Sequence, residues 1–382
     1  MTHPADAAAS RAGLPPAWRV PLLMLGFVGL LFGTGAGLVR LGWPMPDAIA
    51  GVAALHGPLM IGGFFGVVIA LERAVAIGRY WAYAGPLLAG AGALLTAFGG
   101  GAVPAMPWAA LLFLGGGLVF LAASLDVLRR QRALFTVTLA LGAACWPIGT
   151  ALWLAGRPIV AAVPWWLAFL VLTIAGERLE LSRFLPPSPG ARAAFGAILV
   201  AAVAGLAASG APWGALLFAA ALLALSAWLL RQDIARRTVR GRALTRFIAV
   251  CLLAGYAWLA IGSLVALAAG GFAPGTRSYD AALHALTLGF VFSMVFGHAA
   301  IILPAVLRVT LPYHPSFYLP LALLHASVAI RLIGDAGAGY GWTKAGGLLN
   351  AASLAVFIAT MLTAVVRGKR SRTRTSAGPA RA

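Results

Sequence analysis

Residues 279–307 read YDAALHALTLGFVFSMVFGHAAIILPAVL. This run contains one carboxylate, Asp280, and no lysine or arginine. A helix of about 20 mostly apolar residues crosses the hydrocarbon core of a bilayer, so the run predicts a membrane-spanning helix. The rest of the 382-residue chain has the same character, since 62% of its residues are hydrophobic and 10% are charged.

This composition excludes several classes of protein. Soluble domains average roughly 45–50% apolar and about 25% charged residues, which rules out a soluble enzyme, a disordered chain and a disulfide-stapled secreted domain. The net charge of +19 does not indicate a nucleic-acid partner, because the basic residues lie at the ends of apolar segments. In lipid only helices or closed barrels satisfy their backbone, and the alternating pattern of barrel strands is absent. The predicted fold class is an all-α integral membrane protein.

The sequence predicts about twelve transmembrane helices, separated by clusters of proline, glycine and arginine. The predicted spans are 20–40, 48–71, 83–100, 104–125, 133–155, 159–181, 191–209, 212–230, 243–270, 279–307, 317–334 and 343–366. The predicted domains are an N-terminal tail (1–19), a twelve-span domain (20–366) and a basic, disordered tail (367–382). Cys145 and Cys251 fall inside spans, which favours buried thiols over a disulfide framework or a zinc site.

The basic residues are distributed asymmetrically between the two sides. With the N-terminus in the cytoplasm, 23 of the 28 lysines and arginines lie on cytoplasmic segments and 5 on the other side. The positive-inside rule then predicts a multi-pass protein of a bacterial-type inner (plasma) membrane with both termini in the cytoplasm. The first 19 residues do not have the pattern of a signal peptide, because Asp6 occurs early and the first apolar run is of span length.

Spans 2 and 6 end in similar motifs, IALER over 69–73 and IAGER over 174–178. The offset of four spans indicates three four-helix repeats. Two interpretations of these Glu-Arg pairs stay open. The side chains extend to the interface, as long charged side chains do at helix ends, or they form a proton-entry or quinone-facing site.

Four of the six histidines fall inside predicted spans, namely His56, His284, His298 and His325. An ionisable residue inside a span is costly and indicates function. Fourteen residues separate His284 from His298. On an α-helix this is about 40° short of a whole number of turns and roughly 21 Å along the axis, so the two side chains share one helix face. That spacing suits two planar cofactors on one helix. Depth along the spans predicts an outer pair, His56 with His284, and an inner pair, His298 with His325.

Imidazoles are ligands of haem iron and of copper, so these four histidines are predicted to bind haem, with copper as a second candidate. Asp280 precedes His284 by four residues and is placed to accept its other ring N–H. The alternative is that Asp280 occupies a helix N-terminus, where the macrodipole favours an acid. The glycines that follow His56 fit the approach of a flat cofactor or simply close helix packing.

Two stretches carry a resemblance to known families. LHGPLM at 55–60 resembles the span-2 haem-ligand motif of haem-copper oxidase subunit I, in which histidines of spans 2 and 10 clamp a low-spin haem. The resemblance implies this role for His56 and His284. HALTLG at 284–289, with the later Ser293-Met294 and Gly297-His298, is similar to the NnrS family, whose members are twelve-span haem and copper proteins tied to nitric oxide and nitrite stress.

The chain departs from both families in ways that bear on catalysis. Spans 6 and 7 contain no histidine, so the copper site of the oxidases has no counterpart, and the His-Thr-Gly-Arg end of the NnrS motif is missing. Haem binding with electron transfer, or a nitric oxide or nitrite stress response, is therefore the leading hypothesis, without an assigned enzyme activity. The expected partners are the lipid bilayer and a quinol or separate electron donor. The alternatives are a twelve-span transporter without a cofactor and a membrane assembly or copper-handling factor for a respiratory or denitrification enzyme.

Overall fold

The structure is a computed structural model that describes residues 13–99, 106–181 and 187–376. Within these residues it contains twelve helices that are long and apolar enough to cross a membrane, and no strand. They are α1 Pro16–Arg40, α2 Ala53–Ile77, α3 Tyr80–Phe98, α4 Met106–Arg130, α5 Leu134–Leu154, α6 Ile159–Leu181, α7 Pro189–Ala207, α8 Pro212–Gln232, α9 Ala243–Ala268, α10 Arg277–Leu307, α11 Pro315–Ala338 and α12 Tyr340–Ser376.

Each predicted span matches one of these helices, which confirms the all-α membrane fold class. The last helix, α12, extends to Ser376, and the disordered tail over 367–382 stays a prediction. Residues 1–12 of the predicted N-terminal tail and 377–382 of the C-terminal tail lie outside the described residues. The chain forms two compact units, residues 1–221 and 222–382, and the boundary falls within α8. The three four-helix repeats stay a prediction.

The first unit depends on close approach between helix backbones. A Cβ added at Gly29 of α1 would lie 2.6 Å from the carbonyl carbon of Gly63 on α2. A Cβ added at Gly63 would lie 3.1 Å from the Cβ of Ala93 on α3. Small residues at such points allow helices to pack without a hydrophobic driving force, which lipid does not supply. The crossing of α1, α2 and α3 therefore requires glycine.

A buried aromatic cluster fills the first unit behind that crossing. Trp146 of α5 is fully buried and stacks on Phe169 of α6, with ring centroids 5.3 Å apart and planes 20° apart. Phe120 of α4 contacts Phe169 edge to face at 5.8 Å. A Cβ added at Gly66 of α2 would lie 2.6 Å from the Trp146 ring, so the ring occupies the space that a side chain there would take.

The second unit is held at the connection between α8 and α9 by a buried polar chain. The fully buried Tyr256 of α9 donates from its hydroxyl to Asp233 Oδ2 at 2.7 Å. Asp233 Oδ1 accepts from the backbone N–H of Ala235, and Ser226 of α8 donates to the carbonyl of Tyr256. Because each of these polar groups has a partner, the contacts hold the middle of α9 against α8 and the connection that follows it.

We expect Gly29→Ala to lower the stability of the protein by about 1–3 kcal/mol, since the added methyl meets backbone atoms that cannot move aside. Gly196→Ala is the matched control, because a Cβ there contacts nothing within 4 Å. The measurement is the thermal unfolding midpoint of both variants in a mild detergent. Equal midpoints for the two variants would contradict the proposed backbone contact.

Candidate functional site

The histidines of α2 and α10 occupy the same kind of position in their helices. His56 begins the short turn His56–Pro58, which leads directly into a π-helix at Leu59–Phe65. His284 ends the α-helical segment Arg277–His284, and a second π-helix follows at Ala285–Phe292. π-Helices are rare and are found frequently at functional sites, because they redirect the side chains that flank them. The two segments that carry the family resemblance therefore share an irregular backbone.

Three of the four predicted ligands are held in one tautomer by backbone carbonyls. Nδ1 lies 2.7 Å from the Gly33 carbonyl oxygen in His56, 2.8 Å from that of Asp280 in His284, and 2.7 Å from that of Met294 in His298. A carbonyl oxygen only accepts, so Nδ1 carries the proton and the lone pair of the neutral ring is at Nε2. This assignment follows from the partner atoms. A protonated Nδ1 held by a carbonyl is the usual arrangement of an imidazole that binds a metal through Nε2.

His56 is positioned by α1, which crosses it closely. Its ring bonds to Gly33, and a Cβ added at Gly37, one turn further along α1, would lie 3.0 Å from the ring. The ring is half-buried. Two glycines of α1 therefore position the imidazole. The carbonyl of Gly33 accepts a hydrogen bond from the ring, and Gly37 leaves space for the ring because it has no side chain.

His284 lies beside an ion pair in which the arginine is buried and the carboxylate is 32% exposed. Arg331 of α11, with a side chain 7% exposed, binds Asp280 through two bonds, Nε to Oδ2 at 2.7 Å and Nη2 to Oδ1 at 2.9 Å. Asp280 Oδ1 lies 3.3 Å from Nδ1 of His284. Bidentate pairs of this kind are the strong ones, because both bonds are charge-assisted. Asp280 and His284 are thus in contact, as predicted. The backbone carbonyl oxygen of Asp280 lies closer to Nδ1 of His284 than the carboxylate oxygen does.

A second carboxylate lies next to this pair. Asp335, in the π-helical end of α11, accepts a hydrogen bond from Thr343 of α12 at 2.9 Å.

A Cβ added at Gly346 of α12 would lie 2.6 Å from the backbone nitrogen of Arg331. The close packing of α12 on α11 therefore fixes the backbone from which Arg331 reaches Asp280.

His325 is held in the opposite tautomer. Trp258 of α9 donates its indole N–H to Nδ1 of His325 at 2.9 Å, and the two rings are inclined by 19°. An indole N–H only donates, so Nδ1 holds the lone pair and Nε2, 3.5 Å from Ser293 Oγ, carries the proton. His325 would have to give up its bond to Trp258 before it could bind a metal. The structure therefore separates His325 chemically from the other three histidines.

Within the described residues, no group of three or more His, Cys, Asp or Glu side chains forms a metal site. A haem held by axial imidazoles needs no such group. His56 belongs to the first unit and the other three predicted ligands to the second, and the predicted pairs stay predictions. Cys145 and Cys251 are both buried free thiols, as expected.

The two Glu-Arg motifs of spans 2 and 6 come together in the first unit. Glu72 and Arg73 of α2 interact electrostatically with Glu177 of α6. Arg178 is 6% exposed, so this cluster is more enclosed than interfacial side chains that extend to water. The two motifs are separate in the sequence, and in the structure they form one mixed cluster of acids and bases.

The sequence analysis assigned no role to three residues of the candidate site. Arg331, Trp258 and Ser293 contact Asp280 or His325, as described above. Arg331 carried a usable signal, because it lies within a predicted span and ionisable residues there are expected to be paired. Trp258 and Ser293 carried none, since nothing in their spacing relates them to a histidine on another helix.

The twelve long apolar helices of the described residues define a multi-pass helical membrane protein. The chain belongs to the family described as "Domain of unknown function (DUF8744)", whose model matches residues 19–366. No curated protein and no solved structure matches the chain.

We expect Arg331→Met to destabilise the protein by about 1–3 kcal/mol, because the Asp280 carboxylate, 32% exposed, loses two charge-assisted bonds. The double variant Asp280→Asn/Arg331→Met should recover part of this loss, since both charges are gone. Thermal unfolding in mild detergent measures both effects.

Arg130→Met is the control, because the Arg130–Asp126 pair has side chains 53% and 27% exposed and should contribute less than about 1 kcal/mol. A double variant that is no more stable than Arg331→Met would show that the charge left behind is not what costs stability.

Proposed function

We propose that this chain is a haem-binding membrane protein, similar to the NnrS family, that transfers electrons or takes part in a response to nitric oxide or nitrite stress. The observation that carries the proposal is the common tautomer of His56, His284 and His298. Each donates Nδ1–H to a carbonyl oxygen and therefore directs its lone pair through Nε2. This is the donor set that haem iron takes, and copper is the second metal that it suits.

The residues around His284 orient its ring as an axial ligand requires. Arg331 holds Asp280 as a carboxylate, and Asp280 attracts the Nδ1 proton of His284 through its carbonyl and carboxylate oxygens. That attraction orients the ring and makes Nε2 a better electron donor. A bound haem would supply one-electron chemistry there. His325 stands outside this ligand set, because Trp258 occupies its lone pair.

The distribution of basic residues supports the proposed location. The 23 of 28 basic residues on one side support an inner-membrane protein with both termini in the cytoplasm. Electrons would come from a quinol in the bilayer or from a separate donor protein.

The test is the visible spectrum of the full chain, expressed with ample haem, purified in mild detergent, and recorded oxidised and dithionite-reduced. We expect a Soret band with reduced α and β bands. His56→Ala, His284→Ala and His298→Ala should each lose or shift these bands, because each removes a directed Nε2. Free imidazole should restore part of the spectrum where the variant leaves a ring-sized gap.

Two controls make this spectrum decisive. His314→Ala removes an exposed histidine that bonds to Ser316 and should leave the bands unchanged. His325→Ala should retain them better than His298→Ala does. Wild-type protein without any Soret band would exclude the proposal. Stoichiometric copper without haem would favour the copper-handling alternative, and a sample without metal that a solute stabilises would favour a transporter.

A further inference from the structure

A cavity in the second unit lies at the start of α9, beside the segment that leads into α11. Its volume is about 650 Å³, within the range of roughly 300–1,000 Å³ that small-ligand sites occupy. The lining residues are Gly241, Arg242, Ala243, Arg246, Val250, Tyr313 and Tyr318. The histidines discussed above are not among them.

The charged side chains that line this cavity are both positive. Arg242 and Arg246 lie one helical turn apart at the start of α9, and both side chains are exposed. The lining contains no Asp or Glu to neutralise them. Guanidinium groups bind phosphate oxygens through paired N–H bonds, so two of them on one wall favour an oxyanion with several oxygens.

Two tyrosines stand on a rigid aromatic base. Phe247 and Phe317 are buried and meet edge to face with centroids 5.6 Å apart. The Tyr318 ring packs on Phe247 at 5.2 Å, and the Tyr313 ring packs on Phe317 at 5.7 Å. Because the rings are fixed, both phenols keep their place in the cavity wall. They add two hydroxyl donors to the guanidinium groups.

The backbone at the cavity is strained. Ala243 lines it with φ of 51°, and Arg308, which begins the segment carrying Tyr313, has φ of 54°. Among the described residues these are the two non-glycine positions with left-handed φ. Such conformations cost about 1–3 kcal/mol and cluster at ligand-binding sites, where the surrounding structure holds them in place.

We propose that this cavity binds a phosphate group, with Arg242 and Arg246 on its oxygens and the hydroxyls of Tyr313 and Tyr318 as further donors. The membrane supplies such a group as the headgroup of an anionic lipid, and the cavity lies where α9 and α11 begin. Tyrosine and arginine are the residues that favour this depth of a bilayer. The chemistry is that of a phosphate ester or of free phosphate.

The experiment measures the thermal unfolding midpoint of the full chain in mild detergent during three titrations, with phosphatidylglycerol, with phosphatidylcholine and with inorganic phosphate. We expect phosphatidylglycerol to raise the midpoint in a saturable way. Arg242→Gln/Arg246→Gln should weaken half-saturation by about tenfold or more, since two charge-assisted contacts are lost.

The matched control is Arg236→Gln/Arg237→Gln, which removes the same charge from exposed positions in the same connection and should keep the wild-type response. Tyr313→Phe/Tyr318→Phe removes only the hydroxyls, keeps the ring packing, and should weaken half-saturation several-fold. The double tyrosine variant tests the proposal if the double arginine variant does not fold.

Each result has one meaning. A response to phosphatidylglycerol alone supports the proposal with a lipid as the source of the phosphate. A response to inorganic phosphate that the arginine variant loses supports it with a soluble source. A response that the arginine and tyrosine variants retain, or that the control pair loses equally, overturns the proposal, because general surface charge would then explain it.

Discussion

The structure depends on one constraint, which is that backbone polar groups inside a bilayer must find partners within the protein. Helices meet this constraint, and the carbonyl oxygens of helices keep a second lone pair that side chains can use. His56, His284 and His298 each use such an oxygen. The backbone that makes the spans possible therefore also sets which ring nitrogen of each histidine carries the proton.

The same spans deviate from regular α-helix next to two of these histidines. The π-helices of α2 and α10 shift the direction in which all later side chains of the helix point. Each helix therefore presents different faces before and after its π-helical segment. The tight contact of Gly29 with Gly63 falls within the π-helix of α2. Close packing and an irregular backbone thus occur together, and the histidine at the start of that segment is held by the neighbouring helix.

Hydrophobicity predicted the twelve helices because span length and apolar composition are properties of each segment alone. Residue spacing also predicted that Asp280 would lie beside His284, since i and i+4 share a face. It could not predict that Trp258 takes the lone pair of His325. Depth along a span gives the level of a residue in the membrane, whereas the partner of a side chain depends on rotation about the helix axis and on which helix packs there. For the same reason the pairing of Arg331 with Asp280 was not predicted.

The pair between Arg331 and Asp280 has a consequence for how the chain enters the membrane during synthesis. An Arg or Asp at the centre of a span opposes insertion by about 2.5–3.5 kcal/mol, and by less near the ends. The two charges lie on consecutive helices, α10 and α11, and their bond is bidentate. The helical hairpin of α10 and α11 is therefore the piece of chain within which Asp280 and Arg331 meet, and its formation also positions the carboxylate that lies beside His284.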